Sequence, residues 1–226
     1  MPMINHHPDS QLLQAFAAGT LAPSLSIAVS AHLELCRRCS RQVHRLEARL
    51  AESLLHGELA DDEPVTDDLE AMLQQILQTP PTASPDPDDV VSPVHPVLDW
   101  QGQQILMPRA LRQLLPVSWQ RVGKVARARL ALNEADGSRA SLLAIEPGGG
   151  VPAHQHAGYE LTLLLAGNML DEHGCYQAGD FLLLQGSQTH TPVTPDGCLC
   201  YTVLDAPVQF TRGLPRLLNG FGSLLY

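Results

Sequence analysis

Apolar residues recur at helical spacing through roughly the first eighty positions of this chain and at strand spacing after that. Asp9 and Ser10 are placed to cap a short helix running to about Ala18, where Gly19 stops it. Pro23-Ser24 opens a second helix, through Ile27, Val29 and His32, to about Leu35. A third helix follows the Cys36/Cys39 pair. Val43, Leu46, Leu50 and Leu54 repeat at helical spacing as its buried face. Arg37, Arg41, Arg45 and Arg49 line another face at i, i+4 intervals, which reads as a solvated charged face or as a stripe that meets a partner. A fourth amphipathic helix runs from about Thr66 to Gln78 after the acidic loop Asp61-Asp62-Glu63-Pro64. Its apolar residues Leu69, Met72, Leu73, Ile76 and Leu77 either pack on their own domain or dock into a partner's groove.

Between Thr79 and Pro96 the pattern breaks. Pro80, Pro81, Pro85, Pro87, Pro93 and Pro96 hold this stretch extended, so it reads as a semi-stiff spacer. From Val97 short apolar runs alternate with turns: Gln104–Met107, Val125–Leu132, Ser141–Ile145, Leu161–Leu165, Phe181–Leu184 and Cys198–Leu204. Pro147-Gly148-Gly149-Gly150, Ala178-Gly179-Asp180 and Asp196-Gly197 are the turns. Strands at this spacing predict a β-sandwich or jelly-roll barrel. The fold class is α+β and multidomain, with a helical domain at 1–78, a linker at 79–96 and a β domain at 97–226. Few contacts are expected to cross a linker of this composition.

Composition narrows the function. The 226 residues are 44% apolar but only 4% aromatic, so the core is built from Leu, Val and Ala. A net charge of −10 argues against direct binding of nucleic acid and suits a partner with a basic surface. No apolar run is long enough to span a bilayer and no signal peptide is recognisable, which points to the cytoplasm. Five cysteines, two of them beside histidines, read as metal ligation rather than a disulfide framework.

Two ligand patterns of different chemical type stand out. His32 and Cys36 are one helical turn apart, and Cys36-x-x-Cys39 lets the chain wrap an ion. The fourth ligand must come from elsewhere, and the His6-His7 pair is the obvious source. Thiolate and imidazole in a closed set favour a structural zinc ion, which would add folding energy to a small helical domain. His44 and His56 fall on a helix surface, away from this set. In the second pattern, His154 and His156 alternate on a strand and so share a face, and Glu160 follows after a short turn. His190, later in the chain, completes a His3Glu shell that suits Zn, Mn or Fe. His173, Cys175, Cys198 and Cys200 read as ordinary strand and turn residues, with a second redox or metal site as the alternative.

Gly148-(x)5-His154-x-His156-(x)3-Glu160-(x)6-Gly167 resembles the first cupin motif throughout, and Gly179-Asp180 with His190 resembles the second. The second motif departs from the usual pattern at Gln185, Gly186 and Thr194, which affects a turn and leaves His190 in place. The segment from His6 to Gly19, followed by His32, Cys36 and Cys39, resembles the zinc-binding anti-sigma domain of ChrR-type anti-sigma factors. That resemblance implies His7, with His6 as the alternative, for the fourth ligand of the first set. It covers nearly the whole chain. It implies a cytoplasmic protein that sequesters an extracytoplasmic-function sigma factor through its helical domain. The metal-binding cupin is then needed for release under oxidants such as singlet oxygen. The alternative is a metal-dependent cupin enzyme, a dioxygenase or isomerase with a helical appendage. A small-molecule ligand in the barrel is compatible with either.

Overall fold

The computed structural model describes residues 3–56, 67–79, 97–114, 116, 118–132, 137–186 and 188–211. The acidic loop at 61–64 and all but the first residue of the proline-rich spacer lie outside them. Helix α1 spans Ser10–Ala17, with the Asp9 carboxylate accepting from the Leu12 N–H at 2.7 Å. Helix α2 spans Pro23–Leu35, with the proline at its start. Cys36, at φ −118° and ψ 97°, breaks that helix. Helix α3, Arg37–His56, begins at the next residue. The third helix therefore starts two residues before Cys39 rather than after it, and the turn between the helices is Cys36 itself.

The expected apolar face of α3 is buried only near its start. Val43 is buried, whereas Leu50 and Leu54 are 38% and 72% exposed. The cause is length. The eight residues of α1, which packs beside α3, rise about 12 Å, while twenty residues of α3 rise about 30 Å, so the far end overhangs. Helix α4, Asp67–Gln78, keeps its predicted amphipathic pattern. Leu69, Met72, Leu73, Ile76 and Leu77 are each more than half exposed, so that stripe is not packed on the described part of its own chain.

The β half opens with the hairpin β1 (Val97–Trp100) and β2 (Gln103–Leu106), then a single helical turn, α5 (Arg109–Arg112). Next come β3 (Gln120–Val122), β4 (Val125–Arg129), β5 (Arg139–Ile145), β6 (Gly149–Gly150) and β7 (His154–His156). The long β8 (Tyr159–Asp171) is followed by β9 (Gly174–Gln177), β10 (Phe181–Gln185), β11 (Val193–Thr194), β12 (Cys198–Leu204) and β13 (Val208–Phe210). A curled antiparallel sheet runs β3-β4-β5-β12-β8-β11-β6, with β9 and β10 also paired to β8. Strand β8 far outruns the Leu161–Leu165 core that the sequence predicts. At φ +75° Gly167 lets it bend without ending, and a Cβ there would sit 2.0 Å from the Gly197 carbonyl oxygen.

The two halves share one core. Leu13, Ala28, Val29, Ala31 and Val43 from the helices cluster with Leu142, Leu161, Phe181, Leu199, Tyr201 and Val203 from the barrel. The small residues Ser24, Ala28 and Ala31 let α2 approach the sheet closely. The Tyr201 hydroxyl donates to the Ser24 carbonyl at 3.0 Å, and the Arg109 N–H donates to Glu34 at 2.7 Å. The expectation of few contacts across the linker is thus not what the fold has. Both halves keep their predicted character, but α2 buries more than one of its faces.

Candidate metal centres

The helical centre is assembled at the joint between α2 and α3. His32 is in the last turn of α2, Cys36 is the joint, Cys39 is in the first turn of α3, and His7 comes from the extended segment before α1. One ligand atom from each lies within 4.8 Å of all the others. His7 Nδ1 is 3.5 Å from both Cys36 Sγ and Cys39 Sγ. For Zn–S and Zn–N bonds of ordinary length, a tetrahedral ion separates its sulfur and nitrogen ligands by about 3.6 Å. The His32 Nδ1–H donates to the Gly179 carbonyl at 2.9 Å, which turns the lone pair of Nε2 into the cluster. That Nε2 is buried and has no hydrogen-bond partner among the described residues. Burial pulls the pKa of His32 down to about 4, so the ring is neutral and free to ligate. Burial, with Cys36 beside it, pushes the Cys39 thiol up to about 12. An orphaned imidazole nitrogen facing two buried thiols is stabilised by a soft cation, and these four residues fit zinc. His6, the alternative ligand, instead sets its ring edge-on to Tyr176. His44 is exposed and paired with Glu47.

The barrel centre forms where β7 leads into β8. His154 and His156 are buried on one face of β7 and Gln155 points the other way, as strand alternation requires. The backbones of His154 and His190 exchange N–H···O bonds of 3.1 and 3.0 Å, which brings the late histidine into place. The Glu160 carboxylate is 2.9 Å from His156 Nε2 and 3.3 Å from His190 Nε2. His190 Nε2 is 2.9 Å from His154 Nε2 and 3.3 Å from His156 Nε2. Ligands about 2.1 Å from a common ion stand about 3.0–3.4 Å apart, the same spacing.

The outer nitrogens decide the chemistry. The His154 Nδ1–H donates to the Pro152 carbonyl at 2.8 Å, and the His190 Nδ1–H faces Asp171 at 3.3 Å. When His190 is neutral, the two Nε2 atoms present lone pairs to each other at 2.9 Å, and a bound cation, or a proton on His190 Nε2, relieves that arrangement. Burial holds the pKa of His154 down to about 4. Burial also opposes charge on His190, but Glu160 and Asp171 outweigh it and raise that pKa. Burial works against the Glu160 carboxylate too, yet hydrogen bonds from His156 and His190 hold its pKa far below the usual range. A buried anion among three imidazoles fits a divalent cation and does not select which one.

All eight predicted ligands therefore fall into these two groups. The residues that orient them carry no motif for that role: Asp171 behind His190, and Gly179 behind His32. Gly179-Asp180 was legible as a turn, but the 147-residue separation from His32 leaves no local signal of their contact. The five cysteines form no disulfide. Cys198 and Cys200 are buried strand residues, and Cys175 is exposed.

Known proteins match this arrangement along almost its whole length. The profile of the ChrR cupin-like domain covers residues 108–208. The anti-sigma-E factor ChrR of Cereibacter sphaeroides is 35% identical over 223 residues, 96% of this chain and 98% of that protein. In the crystal structure of Rhodobacter sphaeroides SigE in complex with the anti-sigma ChrR, one chain matches with 32% identity and a TM-score of 0.67. The match takes in 89% of this chain and 100% of that one. Among the described residues no helix is long and apolar enough to cross a membrane. With two ligand groups set in a helical joint and a cupin-like barrel, and similarity running through both, this chain belongs to the family of the anti-sigma factor ChrR.

Proposed function

We propose that this protein binds and sequesters an extracytoplasmic-function sigma factor in the cytoplasm, and is a regulator rather than an enzyme. The observation that carries this reading is the extent of the match. It spans both halves of a relative named as an anti-sigma factor and of a chain crystallised with its sigma factor. The molecule also offers a surface for such a partner. The exposed stripe of α4, with the overhanging end of α3, presents Leu50, Leu54, Leu69, Met72, Leu73, Ile76 and Leu77 without cover from the described residues. An amphipathic helix with a bare apolar face suits a hydrophobic groove in another protein.

In this reading residues 1–78 form the inhibitory helical unit and residues 97–226 the cupin unit. His7, His32, Cys36 and Cys39 would hold zinc as a closed structural site, fixing the N-terminal segment to the α2–α3 joint. His154, His156, Glu160 and His190 would hold zinc or another divalent metal such as Mn2+ or Fe2+. A metal held there would give these four residues a common ion whose ligand set oxidants can alter. The chain's own residues translate such a change: His190 shares a backbone bridge with His154 and a carboxylate contact with Asp171, so moving it moves two strands. Release of the sigma factor under oxidants such as singlet oxygen then follows from a biased two-state arrangement. Co-expression with a tagged extracytoplasmic-function sigma factor, followed by purification through the tag, tests the reading. A stoichiometric complex supports it. A sigma factor that elutes alone, with this chain folded and metal-loaded in the flow-through, overturns it.

A further inference from the structure

Residues 171–181 link the two centres physically. They form the β8–β9 turn, strand β9, and the turn into β10, tied to β8 by the pairs Asn168↔Gln177, Leu170↔Cys175 and Asp171↔Gly174. One end supports the barrel centre. Asp171, half-buried with its carboxylate turned inward, faces the His190 Nδ1–H through Oδ2, while its Oδ1 accepts from the Tyr176 hydroxyl at 3.0 Å and the His173 N–H at 2.8 Å. The other end supports the helical centre. The Gly179 carbonyl accepts from His32 at 2.9 Å. Fully buried Asp180 accepts from the Asn5 and His6 N–H groups at 2.7 and 2.9 Å through Oδ1, and from the Gln177 N–H at 2.9 Å through Oδ2. The Phe181 N–H returns a bond to the His6 carbonyl at 3.1 Å. These contacts grip the two residues just before His7. Tyr176 stands between the ends, its ring edge-on to His6 with centroids 4.9 Å apart.

Resting on the reading of both groups as metal sites, we propose that this hairpin is a shared outer support. Asp171 positions His190, the Gly179-Asp180 turn positions His32 and His7, and filling either centre therefore strengthens metal binding at the other. The physical basis is that a ligand held in the right tautomer and orientation loses less freedom on binding. Outer partners of metal-bound histidines typically contribute about 10–100-fold in affinity. A short hydrogen-bonded ladder moves as one body, so order imposed at Asp171 is passed to Asp180. The coupling must be reciprocal, because it is a difference of binding free energies.

The test uses the full chain with Zn2+ and a competing chelator. Wild type should bind two zinc ions. His154→Ala/His156→Ala isolates the helical centre, and Cys36→Ser/Cys39→Ser isolates the barrel centre. Each isolated centre should bind zinc about fivefold or more weakly than in wild type, in the usual range for coupled sites. Tyr176→Phe keeps the ring, removes the bond to Asp171, and should shrink that difference. Asp180→Asn should weaken the helical centre first, and Asp171→Asn the barrel centre first. With Co2+ as the probe at full occupancy, Asp180→Asn should shift the visible bands of the thiolate-bound centre. Simple loss of fold would abolish those bands instead. Remote affinities equal to wild type within twofold overturn the proposal. Fewer than two zinc ions on the wild-type chain overturn the metal-site reading and the proposal with it.

Discussion

Lowering the pH should empty the two centres in different ways. Burial and the neighbouring Cys36 push the Cys39 thiol up to about 12, so at neutral pH it carries a proton that must leave when it ligates. His32, held down to about 4 by burial, has no proton to shed there. Each proton displaced makes apparent affinity rise tenfold per pH unit, about 1.4 kcal/mol. The helical centre should therefore gain at least about 100-fold between about pH 6 and pH 8, and keep gaining above that. The barrel centre differs. Burial keeps His154 neutral down to about pH 4, and Glu160 is ionised throughout this range. His190 is the group with a raised pKa, held up by Glu160 and Asp171 against its burial. Barrel affinity should rise about tenfold per unit below that pKa and become flat above it. The assay is zinc competition against a chromophoric chelator at a series of pH values. His154→Ala/His156→Ala reports the helical centre and Cys36→Ser/Cys39→Ser the barrel centre, each corrected for protonation of the chelator. A helical-centre affinity that does not change from about pH 6 to pH 8 would refute the argument.

Cys39→Ser should lower zinc content from two ions to one and abolish sigma-factor inhibition, as read by metal analysis and a transcription assay. Gly179→Ala faces a φ of +96° and places its Cβ 2.5 Å from Ile4 Cδ1. The left-handed backbone costs roughly 1–2 kcal/mol and the overpacking roughly 1–3, so urea unfolding should show a loss of about 2–5 kcal/mol. Leu73→Glu on the exposed face of α4 should weaken sigma binding about tenfold or more in a titration, while stability stays within about 0.5 kcal/mol.

Much of the centres was legible because the chemistry coincides with local periodicity. His154 and His156 obey the two-residue repeat of a strand, and His32 and Cys36 the turn of a helix. The four main helices and the cores of the barrel strands followed from the same repeats. What stayed hidden depends on contacts between residues far apart in sequence. Ser24, Ala28 and Ala31 look like ordinary helix residues, and only the approach of Tyr201 shows that they seat α2 on the sheet. Leu50 and Leu54 carry the right spacing for burial but outrun the helix that would cover them. Asp180 reads as a turn residue in any barrel. Its bonds to Asn5 and His6 arise from a separation of about 175 residues, which no local pattern encodes.

A metal-built inhibitor of a sigma factor must silence transcription by that factor only while its metal is bound. The most direct measurement is multi-round transcription in vitro, with core RNA polymerase and an extracytoplasmic-function sigma factor, titrated with the purified zinc-loaded chain. Inhibition should saturate near one chain per sigma factor and be lost when a chelator strips the zinc. Undiminished transcription in a several-fold excess of folded, zinc-loaded chain would contradict it.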